Sequence, residues 1–199
     1  RLGPASFQLA GLIRSAEPST SFPACARPVL EELARTSEET VMLGILAGEV
    51  PDMFYADVIE SAAPIRFTLA IGDHRPLYCA ASGKAALAFM PLQTQADYLA
   101  RTEFAAFTPT TSRKSDMPAL LQAIARTGIA FDDGGKVAGA SGIASPVFGR
   151  HGEVLGAVSV AGPSDRIAAQ RRRLEPLVKA AGEQISRLCG FGEAYPPPR

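Results

Sequence analysis

The stretch HRPLYCAASGKAALAFMP, residues 74–91, has the residue types expected of a binding site for a small anion. Ser82 is predicted to cap the N-terminus of a helix that ends at Pro91. The small side chains of Ala80 and Ala81 leave the first amides of this helix accessible. Such amides attract anions, and the helix dipole adds about 0.3–1 kcal/mol at an exposed site. We therefore expect a carboxylate here. A capped helix that only packs on a sheet is the alternative.

A second candidate is a β-hairpin made by two apolar runs, residues 143–148 and 154–160. Gly149 and Gly152 supply the glycines that the turn between them requires. Small residues recur along the second run, so one of its faces is expected to lie close to other backbone or to a bound molecule. Ser159 is a lone hydroxyl on that face.

The neighbouring carboxylates Asp132 and Asp133 have the composition of a metal site or an acid–base pair. Adjacent residues of an extended chain point to opposite faces, so we expect one aspartate to face solvent and the other to face a pocket. The chain offers only His74 and His151 as nitrogen ligands, which gives a metal centre little support. We expect neither a metal nor a cofactor.

Two other kinds of chemistry have weaker support. The string SGKA is similar to the end of a phosphate-binding loop, but Tyr78 occupies the position of a glycine that the motif requires. An enzyme would have to use Cys79 as nucleophile and His74 as base. Cys79 lies in an apolar stretch, which favours a protonated thiol, and no G-x-S-x-G motif is present. We expect no enzyme. A cytosolic hydrolase-like enzyme using these two residues, or an assembly module without a ligand, are the alternatives.

The elements that would position these residues alternate between helices and strands, which predicts an α+β fold. A helix is predicted to begin near Pro28, and strands are predicted over residues 40–47, 53–59 and 65–71. On the third of these strands Phe67 is expected to face the core or a pocket. Asp165 is the predicted N-cap of a long last helix, whose apolar stripe packs on the sheet.

The composition is that of an ordinary globular protein with one domain. The 199 residues are 47% hydrophobic, and 20 basic residues balance 20 acidic ones, so no overall positive field attracts nucleic acid or an anionic membrane. Three cysteines are too few for a secreted disulfide framework. No apolar run approaches the roughly 20 residues of a membrane span. We expect a cytoplasmic protein that makes no membrane contact.

Four blocks of this sequence resemble the C-terminal effector-binding domain of IclR-type bacterial transcription regulators. They are RPVLEELARTSEETVMLGIL, PLYCAASGKAALAFMP, IASPVFGRHGEVLGAVSVAGPSDRI and LVKAAGEQISRLCG, and they follow one another at the family's spacing over nearly the whole chain. The resemblance implies a GAF-like α+β domain with a largely antiparallel twisted sheet and helices on both sides. It also implies a small organic acid as effector and self-association into dimers or tetramers.

The same resemblance implies a division of the chain. Residues 1–20 would hold the end of a linker and a linker helix, residues 21–192 the effector-binding domain, and residues 193–199 a disordered tail. DNA would be bound only by an N-terminal winged helix-turn-helix domain that is absent from this chain.

The family's binding residues can be carried over where the motifs align. The backbone amides of Ala81 and Ser82 are then expected to face the effector's carboxylate. Asp132 and Ser159 are expected to hydrogen-bond its polar end, and Phe67 to line the apolar wall.

The chain also departs from the family's pattern at the implied site. Gly142 stands where many members have a cysteine, Ala161 replaces a second serine of the strand, and Ala140 and Arg75 stand where larger apolar residues are usual. Less side-chain volume implies a roomier cavity. We therefore expect an acid larger than a two- or three-carbon keto acid, such as an aromatic or longer-chain carboxylate, with Arg75 as a second anion partner.

Overall fold

The computed structural model describes residue 22 and residues 24–48 and 51–198. The linker helix predicted within residues 1–20 lies outside this described part. Within it, the chain forms an α+β domain built on one antiparallel sheet with helices on both sides, as the sequence predicts. No described helix is both long enough and apolar enough to cross a bilayer.

The sheet contains six strands among the described residues, in the order β3-β2-β1-β6-β5-β4, and every neighbouring pair is antiparallel. The strands are β1 (Thr40–Ala47), β2 (Asp52–Ile59), β3 (His74–Pro76), β4 (Ala130–Asp133), β5 (Ala140–Phe148) and β6 (Val154–Pro163). The predicted hairpin is therefore β5–β6, and it extends beyond both predicted ends. It lies in the middle of the sheet, where β1 pairs with its second strand.

Helices cover the two faces of the sheet in separate layers. They are α1 (Arg27–Ser37), α2 (Ala81–Leu87), α3 (Leu92–Arg101), α4 (Met117–Thr127) and α5 (Ser164–Leu188), with short 3-10 turns at Ala24–Ala26 and Lys114–Asp116. One hydrophobic core lies between the sheet and α1 and α5, and the other lies between the sheet and α2, α3 and α4.

Strict alternation along the strands separates these two cores. On β6, Val158 and Val160 belong to the core beneath α1 and α5, whereas Ala157 and Ala161 belong to the core beneath α2. Successive side chains of a strand point to opposite faces, so one apolar run supplies both cores. On the α2 side this stretch of the strand presents only the small residues Ala157, Ser159 and Ala161, which lets that helix lie close to the sheet.

The strand predicted over residues 65–71 is wrong, because this segment forms no ladder with the sheet. Side chains take its carbonyl groups instead: the Thr40 hydroxyl donates to the Phe67 carbonyl at 2.6 Å, and Arg166 donates to the Ile65 carbonyl at 3.0 Å. The strand that pairs with β2 at this edge is β3. The predicted common face of the segment is also broken, since Ile65 is exposed while Leu69 is buried.

Two predicted helix caps are also wrong. Helix α2 begins at Ala81, so Ser82 is its second residue and the capping position belongs to Ala80. Helix α5 begins at Ser164 after Pro163, so Asp165 lies within its first turn. There its carboxylate still favours the helix dipole, which explains why the sequence signal pointed to this end of the helix.

The segment predicted as a disordered tail has a specific contact at Tyr195. Its hydroxyl donates to the Pro146 carbonyl at 2.6 Å and lies 2.7 Å from the Ser145 hydroxyl. Its ring packs edge-on against Phe148. Burial raises the pKa of Tyr195, which keeps the phenol neutral and able to donate. The chain after α5 is thus attached to β5 by this side chain.

We expect mild oxidation to join Cys25 to Cys189, because their sulfur atoms lie 3.8 Å apart and both residues are partly exposed. Diamide treatment followed by intact mass and peptide mapping should show the loss of two hydrogen atoms and one linked peptide pair. Burial raises the pKa of Cys189 to about 12, so the reaction should be slow near neutral pH and faster in alkali. Cys79 is buried and serves as the internal control that stays reduced. A link that includes Cys79 would contradict the packing of the Ala24–Ala26 turn against the end of α5.

Candidate functional site

A cavity of about 410 Å³, counted with its open mouth, lies between the sheet and the start of α2. All of the site residues predicted from the sequence line this cavity. They are Phe67, Arg75, Ala81, Ser82, Asp132, Ala140, Gly142, Ser159 and Ala161. The structure therefore brings together residues from β3, β4, β5, β6, α2 and the segment before β3.

Ser159 contributes a buried hydroxyl to the cavity wall. Only 2% of the residue is exposed, and its Oγ has no hydrogen-bond partner among the described residues. A buried polar atom left without a partner costs about 1–3 kcal/mol, so such atoms are rare in folded proteins. The position on β6 explains the orientation, because the alternation that buries Val158 and Val160 on one side turns Ser159 toward the cavity on the other.

The start of α2 forms the opposite wall. Its first amides have no acceptor within the helix, and Ala80, Ala81 and Ser82 line the cavity there. The Ser82 hydroxyl lies 2.8 Å from the Tyr55 hydroxyl, which fixes this side chain against β2. Burial raises the pKa of Tyr55, so its phenol stays protonated.

Two glycines at this wall differ in how closely their surroundings pack. A Cβ atom on Gly83 would lie 2.4 Å from the Leu77 carbonyl oxygen, so only glycine fits at this turn of α2. A Cβ atom on Gly142 would make ordinary contacts instead, with 3.6 Å to Ala81 Cβ and 3.9 Å to Ala161 Cβ. Position 142 therefore has room for one more carbon atom between α2 and the hairpin.

A buried ion pair lies beside the cavity, with its aspartate in the wall. Lys84 Nζ donates to Asp132 Oδ1, and the two side chains are 3% and 8% exposed. The second oxygen of Asp132 accepts a hydrogen bond from the Gly135 amide at 3.0 Å. Asp133 points the other way, is exposed, and contacts the Ser141 hydroxyl at 2.6 Å. The two aspartates thus face opposite sides, as expected for neighbours on a strand. Asp132 already has a protein partner at each oxygen.

Arg75 and Lys136 line the cavity, and neither has an ion-pair partner among the described residues. The Arg75 guanidinium lies 5.4 Å from the centre of the Phe67 ring and 5.9 Å from that of Tyr55. The Lys136 ammonium lies 3.1 Å from the centre of the Phe107 ring. Ring faces hold a cation in place without cancelling its charge.

The sequence analysis did not assign Met42, Tyr55, Lys136 or Val137 to the cavity. For Tyr55 a signal existed, because period-two alternation along β2 places it on the same face as the buried Met53. A signal also existed for Lys84: a lysine surrounded by small apolar residues must find a counter-ion when it is buried. Nothing in the glycine-rich turn distinguishes Lys136 as a wall residue.

Cys79 and His74, the pair considered for an enzyme, have different surroundings. The Cys79 thiol donates to the Pro76 carbonyl at 3.2 Å, and burial raises the pKa of Cys79 to about 11 against the opposing fields of Lys136 and Arg75. A thiol with such a pKa is protonated near neutral pH. His74 is exposed at the edge of the sheet, where its ring contacts Phe54 edge-on. Within the described ranges, no group of three His, Cys, Asp or Glu residues is arranged to hold a metal ion.

Sequence comparisons identify relatives with one kind of function. The family described as bacterial transcriptional regulator IclR C-terminal matches residues 19–187. The HTH-type transcriptional regulator KipR of Bacillus subtilis is 31% identical over 170 residues, which cover 83% of this chain and 66% of KipR. The HTH-type transcriptional repressor AllR of Escherichia coli K12 is 30% identical over 175 residues, covering 86% of this chain and 63% of AllR. The chain thus spans just under two thirds of the length of these relatives.

Solved structures agree with the sequence comparisons. The C-terminal domain of the Escherichia coli transcriptional regulator KdgR matches with a TM-score of 0.73 and 27% identity, over 83% of this chain and 96% of that domain. The IclR protein of Thermotoga maritima has the same fold, with a TM-score of 0.81 and 24% identity over 95% of this chain and 75% of that one.

Proposed function

The chain belongs to the IclR family of bacterial transcriptional regulators and carries the family's C-terminal domain, and from this premise we propose that it senses a small organic acid. Binding of the acid would modulate DNA binding by a separate winged helix-turn-helix domain of the same protein in the cytoplasm. The domain would also carry the self-association of the regulator. It would perform no catalysis.

One observation carries this proposal above the others: the unpartnered Ser159 hydroxyl faces the same cavity as the first amides of α2. Helix α2 has only seven residues, and its start alone would be weak support for a ligand. The hydroxyl is independent of that helix, since it belongs to the middle of the sheet. Both groups supply donors, and donors that converge on one small cavity favour an oxygen-rich anion.

The residues of the cavity wall would have three roles in binding the acid. Ala81 and Ser82 would present amides to the carboxylate, and Ser159 would donate its hydroxyl. Phe67 would contact the apolar part of the acid. Asp132 would hold Lys84 and accept from a hydroxyl on the acid, because each carboxylate oxygen has room for a second hydrogen bond.

The three small positions of the wall, Ala140, Gly142 and Ala161, bear on the size of the acid. Their side chains are short, and at Gly142 the wall has room for one more carbon atom beside Ala81. We propose an acid larger than pyruvate, with a ring or a longer chain that lies along these residues.

A panel of organic acids tests the proposal through the melting temperature of the purified domain. An acid present at about 100 times its Kd stabilises the folded state by about 2.7 kcal/mol. For a domain of this size we expect a rise in melting temperature of about 5–10 °C. Uncharged amides of the same acids are the matched controls, and they should give no shift. A panel in which no acid raises the melting temperature would favour an assembly module without a ligand.

Replacing Ser159 by Ala should weaken acid binding about tenfold while leaving the ligand-free domain as stable as the parent protein or more stable. The variant removes a buried oxygen that has no protein partner, so nothing favourable is lost in the absence of the acid. The bound acid loses a hydrogen bond to a charged group, which is worth about 1.5 kcal/mol or more. Isothermal titration calorimetry and urea unfolding measure the two quantities separately.

Ser145→Ala is the control for that prediction. Ser145 is also buried on the hairpin, but its hydroxyl donates to the Gly128 carbonyl at 2.7 Å and contacts Tyr195. This variant should lose about 1–2 kcal/mol of stability and keep its affinity for the acid. The reverse pattern, with Ser159→Ala destabilised and binding unchanged, would assign Ser159 a purely structural role.

A further inference from the structure

The cavity wall carries more positive charge than a ligand with a single carboxylate would balance. Arg75 and Lys136 both line the cavity, and both lack an ion-pair partner in the described part of the chain. The one carboxylate in the wall, Asp132, is already neutralised by the buried Lys84. The wall together with this pair therefore carries two uncompensated positive charges.

Arg75 and Lys136 reach the cavity wall from opposite edges of the sheet. Arg75 belongs to β3 at one edge and pairs in register with Met53 of β2. Lys136 belongs to the turn between β4 and β5 at the other edge. Two cations beside one small cavity raise the positive potential there, which favours an anion that contacts both.

We infer that the effector is a dianion, and specifically a dicarboxylic acid, whose second carboxylate is bound by Arg75 and Lys136. The inference rests on the proposed function, because it assigns the first carboxylate to the α2 amides and Ser159. The apolar segment between the two acid groups lies along Met42 and Phe67.

The aromatic residues around the cations favour this assignment over a surface role. The Arg75 guanidinium is within 6 Å of two rings, Tyr55 and Phe67, that themselves line the cavity. This places its charge at the wall rather than in bulk solvent, where an arginine would otherwise extend. A charge held beside apolar surface interacts with an anion more strongly than one in open water. The guanidinium can also bind a carboxylate through two parallel hydrogen bonds.

The test compares acids that differ only in the second carboxylate. The pairs are butanoate with succinate, pentanoate with glutarate, hexanoate with adipate, and benzoate with isophthalate. Calorimetric titration of the domain at low and moderate salt gives each affinity. We expect the best dicarboxylate to bind at least about tenfold more tightly than its monocarboxylate partner, with an affinity that falls more steeply as salt is added.

Substitutions of Arg75 and Lys136 test whether these two residues cause the preference for a dicarboxylate. Arg75→Gln and Lys136→Gln should each reduce the affinity for the best dicarboxylate about fivefold to tenfold and change that for its monocarboxylate partner by less than about twofold. Arg35→Gln removes an exposed cation on α1, outside the cavity wall, and should change neither affinity. Circular dichroism and melting temperature check that each variant is folded.

The outcomes separate this inference from the proposed function. Monocarboxylates that bind as tightly as dicarboxylates, or variants that weaken both acids equally, would overturn the dianion and leave the acid sensor intact. If no acid of either kind binds, the proposed function is wrong and this inference fails with it.

Discussion

Lys84→Met is expected to lower the free energy of unfolding by about 3 kcal/mol, because it leaves the Asp132 carboxylate buried without its partner. Lysine and methionine have similar shape, so little packing is lost. The loss of stability then measures the cost of leaving the Asp132 carboxylate unpaired. Urea unfolding followed by circular dichroism measures it. The double variant Lys84→Met, Asp132→Asn should recover to within about 1 kcal/mol of the parent, since the asparagine is neutral and can still accept from the Gly135 amide.

A surface ion pair supplies the comparison. Arg66 contacts Glu60 at 2.9 Å, but the two side chains are 38% and 45% exposed. Arg66→Gln should therefore change the stability by less than about 0.5 kcal/mol. Should Lys84→Met cost no more than this, the Lys84–Asp132 pair would have to be hydrated rather than buried.

Gly83→Ala should destabilise the domain by about 2–3 kcal/mol, although alanine is normally favoured over glycine within a helix by about 1 kcal/mol. The new Cβ would lie 2.4 Å from the Leu77 carbonyl oxygen and 2.5 Å from Leu77 Cα. The Leu77 backbone cannot easily yield, because its amide donates to the Tyr98 hydroxyl at 2.8 Å. Helix α2 must therefore move, and with it the amides that line the cavity. Thermal unfolding gives the loss of stability, and acid titration gives the loss of affinity.

Gly192→Ala is the matched control for the glycine substitution. A Cβ atom at position 192 would meet nothing within 4 Å. We expect no measurable change in stability or acid binding. A Gly83→Ala domain that is as stable as this control would contradict the close approach of α2 to the chain before it.

The fold could be predicted where periodicity and burial agree. Strand β1 was predicted at its observed bounds, and the β5–β6 hairpin was predicted as a pair, because their apolar alternation is dictated by the two cores. The strand predicted over residues 65–71 failed for a tertiary reason. Its apolar pattern fits a strand, but Thr40 and Arg166 take carbonyls that a ladder would need. Such side-chain competition depends on contacts between distant residues, which local sequence does not contain.

The candidate site shows a similar division. The small residues of the hairpin and of α2 identified where a cavity could form, and the resemblance to a known family directed attention to Ser159 and Asp132. The sequence did not predict Lys84 as the partner of Asp132. A lysine in the first turns of a helix is normally exposed, and only the structure shows that Lys84 is buried. The cap itself was misplaced by two residues, because Ser82 is bonded to Tyr55 rather than to the backbone of its own helix.

Strand β6 has one further consequence. Ser159 meets the cavity, while its neighbours Val158 and Val160 meet the side chains of α1 and α5 on the reverse side. Only the thickness of a single backbone separates the two environments, and β1 is hydrogen-bonded to the same strand. Any displacement of β6 by an occupant of the cavity is therefore transferred at once to the helices on the far side, with no chain of intermediate residues to relay it.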